Sequence, residues 1–74
     1  MISNFSKTQI DGDFNGWDGE TIFKLADGTI WQQNRYDINI HFSYRPDVII
    51  FSRNGRTYMK VEGVDDEVSV VQLK

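Results

Sequence analysis

The sequence predicts an all-β domain, a small barrel of five or six short antiparallel strands. Apolar and polar residues alternate with a period of two over much of the chain, which is typical of strands with one buried face. Two compact turn sequences, at residues 26–28 (ADG) and 54–55 (NG), separate such stretches. No stretch of useful length repeats apolar residues at helical spacing. A chain of 74 residues has room for one domain, over residues 1–74.

The first half contains a long loop followed by a predicted hairpin. Residues 11–20 (DGDFNGWDGE) are rich in glycine and acidic residues, which favours an irregular loop. Residues 21–25 and 29–33 contain β-branched and aromatic side chains and flank the turn at 26–28. We therefore expect two short antiparallel strands joined at that turn.

The most regular stretch is residues 36–44 (YDINIHFSY), in which every even position is apolar or aromatic and every odd position is polar. This pattern predicts a nine-residue strand whose even-numbered face is buried. The rest of the chain predicts, in order, a turn at 45–47 (RPD), a strand at 48–51, a tight turn at 54–55, a strand at 57–61 and a last strand at 68–73.

The turn lengths also predict a register for the strands on either side. Counting outwards from a loop at 45–47 and a turn at 54–55, directly opposed residues fall on the same sheet face. One face is then predicted to be apolar and buried: Ile40, Phe42, Tyr44, Val48, Ile50, Met59 and Val61. The other face is predicted to carry a row of rings, His41, Phe51 and Tyr58, which we expect another element or a partner to cover.

Residues 11–22 share features with a calcium-binding loop. Oxygen-bearing side chains occupy the first, third and fifth positions, and Gly16 occupies the sixth. The twelfth position requires a bidentate carboxylate, but it is Ile22, whose side chain has no oxygen. We therefore expect turn residues with solvated carboxylates here, and no metal or cofactor site.

The composition limits the classes of function. The chain has 11 acidic and 8 basic residues and a net charge of −3, which disfavours non-specific binding to nucleic acid. Residues 35–60 are locally basic, with five basic against two acidic side chains. No cysteine is present to form a disulfide or a thiolate metal site. The first ten residues lack a secretion signal and no apolar run matches a membrane span, so a cytoplasmic location is expected.

Residues 10–19 (IDGDFNGWDG), with residues 31–33 (WQQ) further on, resemble a group of small bacterial domains that fold as SH3-like barrels. The Phe-x-Gly-Trp-x-Gly run and the later Trp-x-Gln are the specific part of the pattern, and the resemblance extends over residues 8–73. It implies an SH3-like barrel in which residues 11–20 form the long loop between the first two strands. It implies no activity and no functional residues, because no activity is established for the group.

Enzymatic function is not expected. The chain has one histidine and no cysteine. Ser43 lies two residues from His41 on the same predicted face, but no third group is evident to orient such a pair.

The sequence predicts a small binding or interaction module, which binds a protein or peptide, or itself as a homodimer, through surface aromatics. The candidate surface residues are Trp17, Trp31, His41, Phe51 and Tyr58. Trp17 has an alternative role as a plug in the barrel end, and Trp31 as a core residue opposite Phe23. The alternative function is weak binding of single-stranded nucleic acid, with rings for base stacking and with charge from Arg35, Arg53, Arg56 and Lys60.

Overall fold

The computed structural model describes residues 2–74 and confirms the all-β class. The described residues form eight strands and no helix. The strands are β1 (Ile2–Gln9), β2 (Asp13–Phe14), β3 (Ile22–Lys24), β4 (Ile30–Gln33), β5 (Ser43–Tyr44), β6 (Asp47–Arg53), β7 (Arg56–Val61) and β8 (Glu67–Gln72).

Six of the strands form one curled antiparallel sheet in the order β1-β6-β7-β8-β4-β3. Its two edge strands meet at one end, just beyond β1 and β3. There Ile10 pairs with Leu25, and the amide of Ala26 donates a hydrogen bond to the carbonyl of Gln9 at 2.8 Å. The sheet therefore curls into a half-barrel, which is consistent with the expected small SH3-like barrel.

The two hairpins predicted at residues 26–28 and 54–55 are confirmed. Asn54 and Gly55 have φ values of 53° and 78°, as a two-residue type I′ turn requires. The register between β6 and β7 is the predicted one, with Ile50 opposite Met59. Strands β3 and β4 pair across the turn at residues 26–28.

The core lies inside the curl of the sheet. Alternate residues of β6, β7 and β8 point inward, because successive residues of a strand face opposite sides of a sheet. Phe14 and Trp17, from the region of the long loop, add to this core, with their ring centroids 6.3 Å apart. Among the described residues, the most deeply buried side chains, each 0% exposed, are Val48, Met59 and Val61.

The strand predicted at residues 36–44 is wrong for most of its length. Only its last two residues form a strand, β5, and β5 pairs with β2 rather than with β6. The second neighbour of β6 is β1, in a ladder that runs from Gln9 opposite Asp47 to Ile2 opposite Arg53. Because β1 occupies this edge of β6, residues 36–44 cannot pair there.

The buried face predicted across this region is therefore only partly correct. The four predicted members in β6 and β7 are buried, whereas Ile40, Phe42 and Tyr44 are 72–75% exposed. The expected hairpin loop does not form, since the carbonyl of Pro46 accepts a hydrogen bond from the amide of Ile10 at 3.0 Å. The chain before β6 is thus tied to the end of β1.

Candidate interaction surface

Residues 36–44 present five alternate apolar side chains to solvent. We call this row the apolar stripe: Tyr36, Ile38, Ile40, Phe42 and Tyr44. The exposed fractions of the five side chains lie between 56% and 75%. The segment runs antiparallel to residues 13–17. The period-two pattern of the sequence is therefore present, but its apolar side faces outward.

The polar side of the segment faces the barrel. The indole Nε1 of Trp17 donates a hydrogen bond to Oδ2 of Asp37 at 3.2 Å. Trp17 and Asn39 also exchange two backbone hydrogen bonds, of 2.8 and 2.9 Å. The His41 ring lies 6.4 Å from the buried Phe14 ring, measured between centroids. These odd-numbered residues attach the segment to the core, and the even-numbered side chains consequently point away from it.

A buried glutamine fixes the start of the segment. Gln33, the last residue of β4, is 3% exposed. Its Oε1 accepts a hydrogen bond from the Gly19 amide at 2.7 Å. Its Nε2 donates to the carbonyls of Arg35 at 3.0 Å and Asp37 at 2.9 Å. One side chain therefore holds the long loop against the residues that lead into the apolar stripe.

Sequence reasoning missed the role of Gln33. The residue type does not distinguish it from its neighbour, because the adjacent Gln32 is also a glutamine but is less buried. The available signals were a polar residue at an inward-facing strand position and the place of this residue in the Trp-x-Gln motif. A buried polar side chain of this kind must find hydrogen-bond partners, so the signal points to a structural joint.

Two glycines allow the long loop to approach the segment closely. A Cβ atom at Gly16 would lie 1.9 Å from the Asn39 carbonyl oxygen. A Cβ atom at Gly19 would lie 2.8 Å from Cδ1 of Tyr36, so the backbone of Gly19 supports that ring. Ile22, which is 53% exposed, shares a shallow depression with Tyr36 and extends the apolar surface beyond the stripe.

The apolar stripe is large for so small a protein. A covered aromatic side chain buries about 150–250 Å². Burying an isoleucine side chain contributes about 1.5–3 kcal/mol, which at about 25 cal/mol per Å² corresponds to about 60–120 Å². Scaled by their exposed fractions, the five side chains expose roughly 400–700 Å². The largest apolar patch of a typical monomer is about 300–600 Å² and is often functional. The size of the stripe therefore marks it as a candidate binding surface.

The five residues predicted as surface candidates do not form one surface. Trp17 is 2% exposed and Phe51 is 4% exposed, so the prediction that these two rings face a ligand is wrong. Trp17 belongs to the core, as its alternative role required. Trp31 is half-buried against the core and lies opposite Phe23 in the β3–β4 register.

The predicted row of His41, Phe51 and Tyr58 is also divided. Phe51 and the half-buried Tyr58 are neighbours, with stacked rings whose centroids are 5.8 Å apart. The residue opposite Phe51 in the next strand is Phe5 of β1, not His41. His41 instead lies half-buried on the inner side of the segment, against Phe14.

Two of the four basic residues considered for nucleic-acid binding have partners within the chain. The guanidinium of Arg53 lies 5.3 Å from the Phe51 ring centroid and 5.1 Å from that of Tyr58, and it pairs with Glu67. The Nζ of Lys60 donates to the carbonyl of Val61, at the end of β7, and to the carbonyl of Val64 in the turn that follows. The other two basic residues, both arginines, are exposed. A nucleotide base would have to displace the Arg53 guanidinium in order to stack on the rings of Phe51 and Tyr58. This weakens the hypothesis of nucleic-acid binding.

Within residues 2–74, no three His, Asp or Glu side chains converge in an arrangement that would hold a metal ion. The described part of the chain has no helix with the length and apolarity needed to cross a membrane. Comparisons of the chain with protein-family models, with curated proteins and with solved structures gave no significant match. The apolar stripe is therefore identified as a candidate site from its geometry alone.

Proposed function

We propose that the protein is a small interaction module, without a catalytic role, that binds a protein surface through the apolar stripe. The observation that carries this proposal is the outward orientation of five alternate apolar side chains, each more than half exposed, on a segment whose polar side is tied to the core. Continuous exposed apolar surface of this size is typical of protein interaction sites.

The stripe is held in place before a partner binds. Backbone hydrogen bonds between Trp17 and Asn39, and side-chain bonds from Gln33, fix the segment on the barrel. Binding therefore orders few additional residues, and the entropic cost of association is reduced accordingly. At about 25 cal/mol per Å², covering the stripe contributes roughly 10–18 kcal/mol before the costs of association, which are about 4–15 kcal/mol. The two ranges overlap, so measurable binding depends on the low cost of ordering a segment that is already fixed on the barrel.

We also propose that the chain is related to the small bacterial SH3-like domains that its motif resembles, and that it acts in the cytoplasm. The motif residues have a common structural role, which supports the relationship. Gly16 permits the close approach to Asn39, Trp17 binds the segment, and the Gly19 amide donates to Gln33. In this proposal the motif residues hold the segment on the barrel so that the apolar stripe faces solvent.

Site-specific photo-crosslinking tests the proposed function. A photo-reactive phenylalanine analogue replaces Phe42 in the stripe or, as the control, Val71 of β8, which is 41% exposed but outside the stripe. We expect a discrete protein adduct from position 42. Excess unlabelled wild-type protein is expected to compete this adduct away, whereas the same excess of an Ile40→Asp variant is expected to leave it in place. No adduct at position 42, or equal adducts at both positions, would contradict the proposal.

A further inference from the structure

We infer that the partner of the apolar stripe is a second copy of this chain, bound about a two-fold axis that passes through Ile40. This inference rests on the proposed function and adds the identity of the partner. It is carried by the order of side chains along the stripe and by the size of the exposed surface.

The stripe is nearly palindromic. Its side chains read tyrosine, isoleucine, isoleucine, phenylalanine and tyrosine, so positions at equal distances from Ile40 are similar in size and chemistry. A two-fold axis in the plane of the interface, perpendicular to the segment, makes the two segments antiparallel. Tyr36 of each copy then faces Tyr44 of the other, Ile38 faces Phe42, and Ile40 faces its own counterpart. An interface in which one surface binds itself must have this self-complementarity.

The exposed area agrees with a dimer. Two stripes remove roughly 800–1,400 Å² of apolar surface from water when they cover each other. Stable protein interfaces bury about 1,200–2,000 Å² in total, including a polar rim. The stripe supplies the apolar centre of such an interface, and Ile22 beside Tyr36 extends it towards the rim.

Sedimentation equilibrium over a concentration series tests the dimer. We expect wild-type protein to show a reversible monomer–dimer equilibrium. Ile40→Asp raises the dimer dissociation constant about 100-fold or more, because the axis brings two carboxylates together in an apolar interface. Val71→Asp, the control on β8, leaves the constant unchanged. A wild type that stays monomeric at millimolar concentration, or a dimer that tolerates Ile40→Asp, overturns the inference.

Cysteine crosslinking tests the symmetry, since the chain has no cysteine of its own. A short bismaleimide is expected to link Ile40→Cys protein to itself and to link a mixture of Tyr36→Cys and Tyr44→Cys proteins. Crosslinking of Tyr36→Cys protein to itself, without the mixed product, overturns the antiparallel arrangement.

The dimer and the proposed function fail in distinguishable ways. A monomeric wild type that still gives a competed adduct with a different protein from position 42 removes the dimer and keeps the interaction module. A monomeric wild type with no adduct from position 42 removes both.

Discussion

Replacing Gly16 with alanine is expected to detach the segment that carries the apolar stripe. The new Cβ atom would lie 1.9 Å from the Asn39 carbonyl oxygen, and real contacts of this kind do not fall below 3.0 Å, so the two atoms must separate by a further 1.1 Å. That carbonyl accepts from the Trp17 amide at 2.8 Å, and the return bond is 2.9 Å. Loss of both bonds costs about 1–3 kcal/mol.

Gly12 provides a matched control. Its φ of 95° equals that of Gly16, but an added Cβ atom meets nothing within 4 Å. Gly12→Ala therefore carries only the conformational strain, about 1–3 kcal/mol, whereas Gly16→Ala carries the same strain and the lost contacts, about 2–6 kcal/mol together. Urea unfolding followed by tryptophan fluorescence measures both variants. Equal losses of unfolding free energy in the two variants would show that the close approach of Gly16 to Asn39 is absent.

Two further changes have defined outcomes. Gln33→Met removes three hydrogen bonds and is expected to lower the unfolding free energy by about 1.5–4.5 kcal/mol. The control Gln32→Met is expected to change it by less than about 0.5 kcal/mol. Similar losses for the two variants in urea unfolding would refute the role of Gln33. The hydroxyl and amide of Thr29 donate to Asp27 and hold the pKa of its carboxyl below the ordinary 3.8. The stability that this carboxylate contributes is therefore present above that pH and is lost as the pH falls through the lower, folded-state pKa. Thr29→Val is expected to return the pKa of Asp27 towards 3.8 in an NMR titration, and an unchanged pKa would contradict this explanation.

Local sequence signals predicted the parts of the fold that depend on neighbouring residues. The Asn54-Gly55 turn and the β6–β7 register followed from turn chemistry and alternation, because a hairpin fixes its own pairing. The β3–β4 hairpin followed for the same reason. The residue pattern did not predict β1, which only the family resemblance implied, since residues 2–9 have little apolar alternation and pair with the distant strand β6.

The orientation of residues 36–44 could not be predicted from the alternation of apolar and polar residues. Alternation shows that the two sides of a segment face different surroundings, and the usual assumption places the apolar side inside. Here the odd-numbered side chains make the inward contacts: Asp37 accepts a hydrogen bond from the Trp17 indole, and the His41 ring lies against the Phe14 ring. Those contacts are made across the chain and select the odd-numbered side. Trp17 and Phe51 are buried, Trp31 and Tyr58 are half-buried, and His41 lies half-buried beneath the stripe. The prediction of surface aromatics was therefore wrong for Trp17 and Phe51.

The orientation of the stripe is tested most directly by one matched pair of truncations. Ile40→Ala and Ile50→Ala remove the same atoms from a side chain that is 73% exposed and from one that is 7% exposed. Unfolding free energies are compared at a protein concentration at which the wild type sediments as a monomer. We expect a change within about 0.5 kcal/mol for Ile40→Ala and a loss of about 2–5 kcal/mol for Ile50→Ala. A loss of that larger size at position 40 would show that the segment buries its apolar side, and the interaction surface would not exist.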